Sequence, residues 1–178
     1  MNNPTLDENL ILRMGTGDQQ AFADFYRQTC DSVYGFALSI VKNRQDAEDI
    51  MHDAYLRSFS AAASYRPMGK PLAWLLTIVK NTGYNLIRSR GICEDLSQYE
   101  HAAAADEHAF VLDRMVLEEV LKTLAALERQ ILILHAVAGF KHKEIASLLG
   151  LPLGTVLSKY SRALKKVRTS LERKEWTL

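Results

Sequence analysis

Cysteine, proline and glycine are all scarce in this chain: two, four and nine among 178 residues. The two cysteines, Cys30 and Cys93, make no disulfide framework, and they fit neither a paired zinc spacing nor Cys-x-x-Cys redox chemistry. So little glycine and proline excludes a fibrous or low-complexity chain. Charge of one sign is missing as well, since 22 Lys+Arg face 21 Asp+Glu; with 48% hydrophobic residues, that balance excludes a disordered chain. No apolar run approaches ~18 residues, so no membrane insertion is expected. The start, MNNPTLDENL, lacks the basic-then-apolar layout of a signal peptide. The expected compartment is the cytoplasm.

What is present is helical periodicity and an uneven distribution of charge. No strand pattern of any length appears. From Asp18, a good N-cap, apolar residues recur through Phe22, Phe25, Tyr26, Cys30, Val33, Tyr34, Ala37, Leu38 and Val41, with Asn43 placed to end the helix in a left-handed conformation. A second helix is predicted from about Gln45 to Ala62, with Ile50, Met51, Ala54, Tyr55 and Phe59 inward. Ser64 to Pro71 reads as a loop, and Pro71 then opens a third helix, where its missing N–H costs nothing. Periodicity stops after Arg90 and returns at Phe110. Residues 91–111 carry five acids and no Lys or Arg, whereas residues 112–178 carry an excess of five positive charges. The expectation is an all-α chain of two small domains, 1–90 and 112–178, joined by an acidic linker over 91–111.

The sharpest local signal lies between His142 and Ser161. A helix-turn-helix needs a small residue where its helices approach, and Ala146 supplies it. The turn needs a residue tolerant of positive φ, supplied by Gly150, and the second helix must return an apolar residue to the first, supplied by Val156. The outward face of that second helix carries Thr155, Ser158, Lys159, Arg162, Lys165 and Lys166, and Lys159–Lys174 holds seven bases against one acid. A helical hairpin that merely packs explains the first three residues but not the bases. The segment is therefore read as DNA-binding.

Two other faces carry chemistry. Asp46, Asp49 and Asp53 share one helix face at i, i+3 and i+7. Acids suit the first turn, and Asp53 has Arg57 at i+4, yet Asp49 and Asp53 are like charges at i, i+4, a cost that a basic partner would offset. The third helix is predicted to expose Lys80, Asn81, Tyr84, Asn85 and Arg88, with no acid from Pro71 to Arg90. Cations, amides and a ring on one face suit single-stranded DNA. Trp74 falls in phase with Leu75 and Val79 and is read as core. His101 and His108 have no second well-spaced pair and make no metal site. Cys93 sits among acids that raise its pKa, and Cys30 lies on an apolar face, so no catalytic constellation, metal or cofactor is expected.

These strings together resemble a known family. Gly17-Asp-Gln-Gln-Ala-Phe22, Asp46-Ala-Glu-Asp-Ile50, Asp53-Ala-Tyr-Leu56 and Ala73-Trp-Leu75 followed by Asn81 are similar to the first conserved domain of bacterial extracytoplasmic-function (ECF) sigma factors. Gly139 to Ala146, Gly150 to Val156 and Ser158 to Ala163 look like the second domain, in family order. The chain departs from the pattern at Leu157, where a basic residue is usual, at Ala125-Ala126 in place of Pro-Pro, and in the loop at Pro67-Met68 and Lys70-Pro71.

The resemblance implies a dissociable, non-enzymatic subunit of RNA polymerase. It implies that Asp46, Asp49 and Asp53 dock on a coiled coil of the largest polymerase subunit. It further implies that Arg66, Lys80, Asn81, Tyr84 and Arg88 capture the melted −10 promoter element, and that Thr155, Ser158, Lys159, Arg162, Lys165 and Lys166 meet the −35 duplex beside the polymerase flap. An anti-sigma factor, often membrane-bound, is implied as an inhibitor. The alternative is an autonomous helix-turn-helix regulator, which would require a dimerisation helix that the periodicity does not supply.

Overall fold

The computed structural model describes residues 6–41, 43–90 and 123–175, which hold seven helices and no strand. These are α1 (Asn9–Gly15), α2 (Gln19–Val41), α3 (Arg44–Ala62), α4 (Pro71–Ser89), α5 (Ala126–Ala136), α6 (His142–Leu149) and α7 (Leu153–Glu175). The acidic linker, Cys93, His101, His108 and the apolar residues from Phe110 to Leu121 lie outside the described residues.

Helices α1 to α4 form one bundle. Asp18 caps α2 as expected, its carboxylate accepting from the Ala21 N–H at 3.0 Å. It also pairs with Arg13 of α1 at 2.7 Å. Phe25, Val33 and Ala37 of the predicted α2 stripe are buried, joined by Phe36 and Ile40, which lie outside it, and they meet Ile50 and Ala54 of α3 and Leu75, Leu76 and Val79 of α4, all buried. Tyr26 of the stripe is exposed, and Phe22, Cys30, Tyr34, Leu38 and Val41 are half-buried at the edge of the core. One hydroxyl pair crosses this core, Thr29 to Tyr55 at 2.7 Å, which satisfies two polar groups that burial would otherwise penalise. Phe59 is more exposed than its phase predicts, packing edge-on to Phe22 at the rim.

Two local readings are corrected. Asn43 does not end α2 in a left-handed turn; its φ of −124° is extended, and its side chain caps α3 by accepting from the Asp46 N–H at 2.8 Å. The short α1 was not anticipated. Its buried Leu10, Ile11 and Met14 occupy a single turn, too few residues for periodicity to separate from chance.

In the second half, α5 begins where Glu128 reaches back to the Ala125 N–H at 3.2 Å, and α6 begins with the same device from Glu144 to the Lys141 N–H at 2.9 Å. Gly150 ends α6 at φ 68°, a conformation that a side chain would strain, and Leu151 N–H returns to Ala146 at 2.9 Å. Buried Ala146 and Val156 close the turn, and Ala163 extends the contact along α7. His135, His142 and Tyr160 form a ring cluster with centroids 4.6–4.9 Å apart, joining α5, α6 and α7.

The two halves pack on each other. Helix α5 crosses α2 at Gly35, where an added Cβ would stand 3.4 Å from the Ile133 side chain. Arg129 of α5, only 2% exposed, donates from Nε to the Ser39 carbonyl of α2 at 2.8 Å. Burial pushes its guanidinium down to about 10, so it remains a cation at neutral pH.

Candidate nucleic-acid interface

The α4 face is divided rather than uniformly exposed. Asn81, Asn85 and Arg88 face solvent with Thr77, while Lys80 and Tyr84 turn toward the second half. Lys80 donates from Nζ to the Leu148 carbonyl at 2.7 Å, and Tyr84 donates from its hydroxyl to Gln130 Oε1 at 3.1 Å. The Leu148 carbonyl lies in the last turn of α6, where the helix leaves acceptors unsatisfied and favours a cation. The expectation that all of Lys80, Asn81, Tyr84 and Arg88 stand open on one platform is corrected for Lys80 and Tyr84. Both occupy the phase predicted for them, but the neighbouring half covers it.

Beside α4, residues 65–70 form an arch. Tyr65 is buried against Trp74, with ring centroids 4.9 Å apart. Trp74 is thus half-buried at the foot of the loop rather than deep in the core. Arg66 is exposed, and Met68 at the crest is 72% exposed.

The three acids of α3 separate into two roles. Asp49 and Asp53 are exposed, and among the described residues neither forms an ion pair; the expected Asp53–Arg57 pair is not made. Asp46 is buried instead. It accepts from Asn43 at 2.6 Å and from both terminal nitrogens of Arg90, one of them at 2.8 Å. Burial works to raise its carboxyl, but the bonds from Arg90 and Asn43 outweigh that and hold it below the usual range. Asp46 therefore ties the end of α4 to the start of α3, and its placement on the open acidic face is corrected.

On α7, Ser158, Arg162 and Lys165 are exposed, while Thr155 and Lys159 are half-buried. Leu157 shares the outward surface at 47% exposure. Lys166, expected to be free for phosphate, instead pairs with buried Glu128 at 2.7 Å. Burial would raise the Glu128 carboxyl, yet Lys166 and the Ala125 N–H hold it low. Neither Asp46–Arg90 nor Glu128–Lys166 was visible from spacing, because the partners stand far apart in the chain.

Among the described residues no cluster of three His, Cys, Asp or Glu could hold a metal, and no helix is long and apolar enough to cross a membrane. Cys30 is a free, half-buried thiol whose pKa burial raises. A bundle with an exposed acidic face, followed by a helix-turn-helix with an exposed basic second helix, defines a two-part helical DNA-binding protein. Comparison with known proteins sharpens this. Residues 25–92 match Sigma-70 region 2 and residues 114–167 match Sigma-70 region 4, together well over half of the chain.

The ECF RNA polymerase sigma factor SigK of Mycobacterium ulcerans is 28% identical over 176 residues, covering 93% of this chain and 94% of that protein. The ECF sigma factor SigE of Mycolicibacterium smegmatis is 31% identical over 170 residues, covering 88% of this chain and 65% of that protein. Among solved structures, the sigma factor RpoE of Bartonella quintana, crystallised with the anti-sigma factor NepR, superposes with a TM-score of 0.69 at 26% identity, covering 84% of this chain and 97% of that one. CnrH, in complex with the cytosolic domain of CnrY, has the same fold with a TM-score of 0.64 at 21% identity, covering 94% of this chain and 97% of that one. The chain belongs to the ECF group of the sigma-70 family, and is a transcription initiation factor rather than an enzyme.

Proposed function

We propose that the faces described above divide the work of promoter recognition. Asp49 and Asp53 dock on the basic coiled coil of the largest subunit of core RNA polymerase. Arg66, Asn81 and Arg88, joined by Lys80 and Tyr84 once the halves part, capture the opened −10 strand. Thr155, Ser158, Lys159 and Arg162 enter the −35 major groove beside the polymerase flap, while Lys165 meets phosphate. Leu157 adds an apolar group suited to a thymine methyl. The observation that carries this reading is the division of exposed charge, acid on α3 and base on α7, within one chain that joins regions 2 and 4.

The packed arrangement does not fit both promoter elements at once. Their centres lie about 25 base pairs apart, roughly 85 Å of duplex at 3.4 Å per step. Lys80, by contrast, is hydrogen-bonded to the helix-turn-helix. The packed form is therefore the resting form, and an anti-sigma factor, by analogy with the Bartonella quintana complex, is the class of partner that holds it. Its place of action is the cytoplasm, where polymerase and promoters are.

Run-off transcription with core polymerase, with and without this protein, tests the reading. A duplex promoter transcribed equally well without it would end the proposal. Within that assay, Arg162→Ala is expected to lose about 1–3 kcal/mol of discrimination at one −35 position if it reads a guanine bidentately. Lys165→Ala should weaken all promoters alike and reduce the salt slope by about one. Equal scaling of every promoter by both variants would place base readout elsewhere.

A further inference from the structure

The arch of residues 65–70 is pinned by a side chain from outside it. Glu8, at the start of α1, does not cap its own helix; Asp7 does so, accepting from the Asn9 N–H at 3.0 Å. The Glu8 carboxylate crosses instead to the arch. Its Oε1 accepts from the Tyr65 hydroxyl, from the Met68 N–H at 2.8 Å and from the Gly69 N–H at 3.0 Å, and Oε2 lies 3.3 Å from the same Gly69 N–H. Gly69 stands at φ 69°, a conformation that turns its N–H and that of Met68 toward one anion. The Tyr65 hydroxyl hydrogen-bonds most strongly among the groups that keep the Glu8 carboxyl below its ordinary value, so it is ionised at working pH.

The arch is thereby fixed at both feet and along its backbone: Tyr65 packs edge-on against Trp74, the Trp74 N–H bonds the Lys70 carbonyl at 3.1 Å, and Glu8 accepts from the backbone between them. Arg66 and Met68 are left exposed at the start of α4, the helix whose solvent-facing side carries Thr77 and Asn81. A loop that must receive a base turned out of the stack binds it more tightly if its shape is set beforehand, because less conformational freedom is lost on contact.

We propose that Glu8 is a positioning residue for promoter melting. Its carboxylate holds the 65–70 arch in the shape that presents Arg66 and Met68 to an extruded base of the −10 strand, and it touches no nucleotide itself. The proposal rests on the reading that this loop and α4 capture the opened strand.

The test uses the full chain reconstituted with core polymerase. Single-stranded oligonucleotides from the −10 region of a promoter that supports run-off transcription are varied one base at a time. Glu8→Ala should lower single-strand affinity about tenfold and flatten the preference among the four bases at the captured position. Glu8→Gln, whose amide oxygen accepts from the same three donors, should stay within about twofold of wild type. Affinity for core polymerase should be unchanged in both, and the unfolding midpoint of Glu8→Gln should match wild type. Glu8→Ala, which loses three hydrogen bonds, should unfold somewhat earlier but stay fully folded at the assay temperature. Wild-type affinity and base preference in Glu8→Ala, alongside weakened binding by Arg66→Ala and Asn81→Ala, would overturn the role of Glu8 and leave the reading of the face intact. Wild-type binding by Arg66→Ala and Asn81→Ala as well would overturn both. A lowered unfolding midpoint in Glu8→Ala with undiminished base preference would make Glu8 a structural residue only.

Discussion

Replacing Asp49 and Asp53 together by lysine is expected to cost about a hundredfold or more in affinity for core RNA polymerase while leaving the fold intact. Both side chains are exposed on α3, and among the described residues neither is in an ion pair, so their removal breaks nothing inside the molecule. Exposed substitutions of this kind usually move stability by no more than about 0.5 kcal/mol. Against a basic partner the outcome differs, since like charges forced together at an interface cost several kcal/mol and each 1.4 kcal/mol is tenfold. Asp46→Asn makes the contrast within the same helix. It weakens the tie to Arg90, and is expected to lower stability by about 1–3 kcal/mol without altering polymerase affinity in the folded fraction. Co-purification with core polymerase, read beside thermal unfolding, separates the two effects. Undiminished co-purification of the double variant would reduce Asp49 and Asp53 to solvated surface.

Gly35→Glu is expected to part the two halves. The glycine lies in the middle of α2, where any other residue except proline is helix-favouring by comparison, so the first bundle should gain up to about 1 kcal/mol. At the same position a Cβ would already touch Ile133, with Val137 at 3.9 Å, so a glutamate side chain would have to displace these apolar groups. Forcing that charge against apolar side chains costs several kcal/mol, which separation avoids. Small-angle scattering would report the change as a rise from about 16 Å, the radius expected of a compact chain of 178 residues, to above about 20 Å. Lys80 and Tyr84 would be freed by the same event, so binding of single-stranded −10 DNA by the variant should strengthen. An unchanged radius in a folded variant would mean that the halves stay joined despite the charge.

Much of this architecture was legible in the sequence, and what was not shares one physical cause. The stripes of α2, α3 and α4, the cap at Asp18, the loop before Pro71 and the Ala146–Gly150–Val156 turn are local patterns, encoded within a few turns of chain. Periodicity assigns a residue to a face but cannot say what the face meets. Lys80 and Asn81 are neighbours on one polar strip, yet only Lys80 lies within reach of a carbonyl 68 residues away. Asp46 is indistinguishable by spacing from Asp49, until Arg90 arrives from the far end of α4. Lys166 sits in a basic run, but Glu128 selects it. Asn43 was misread for a different reason, because asparagine serves both helix ends and only the backbone angle decides between them. Glu8 gave no usable signal, since the donors it satisfies, the Tyr65 hydroxyl and two main-chain N–H groups, lie about sixty residues downstream.

If Lys80 captures the −10 strand as proposed, its hydrogen bond to the end of α6 makes promoter engagement and the packing of the two halves mutually exclusive claims on one ammonium group. Mutual exclusion of this kind is a linkage and runs in both directions. Whatever fraction of molecules has its halves apart sets the apparent promoter affinity, which falls below the intrinsic one by that same fraction. A ligand that prefers the packed form must weaken DNA binding by the factor through which DNA weakens the ligand. Because the competing acceptor is carried on the same chain, diluting the protein does not relieve the competition. Sensitivity to an inhibitor is thus set by the internal equilibrium, and substitutions at Gly35, Arg129 or Gln130, none of them on the exposed basic face of α7, would retune the threshold at which every promoter responds.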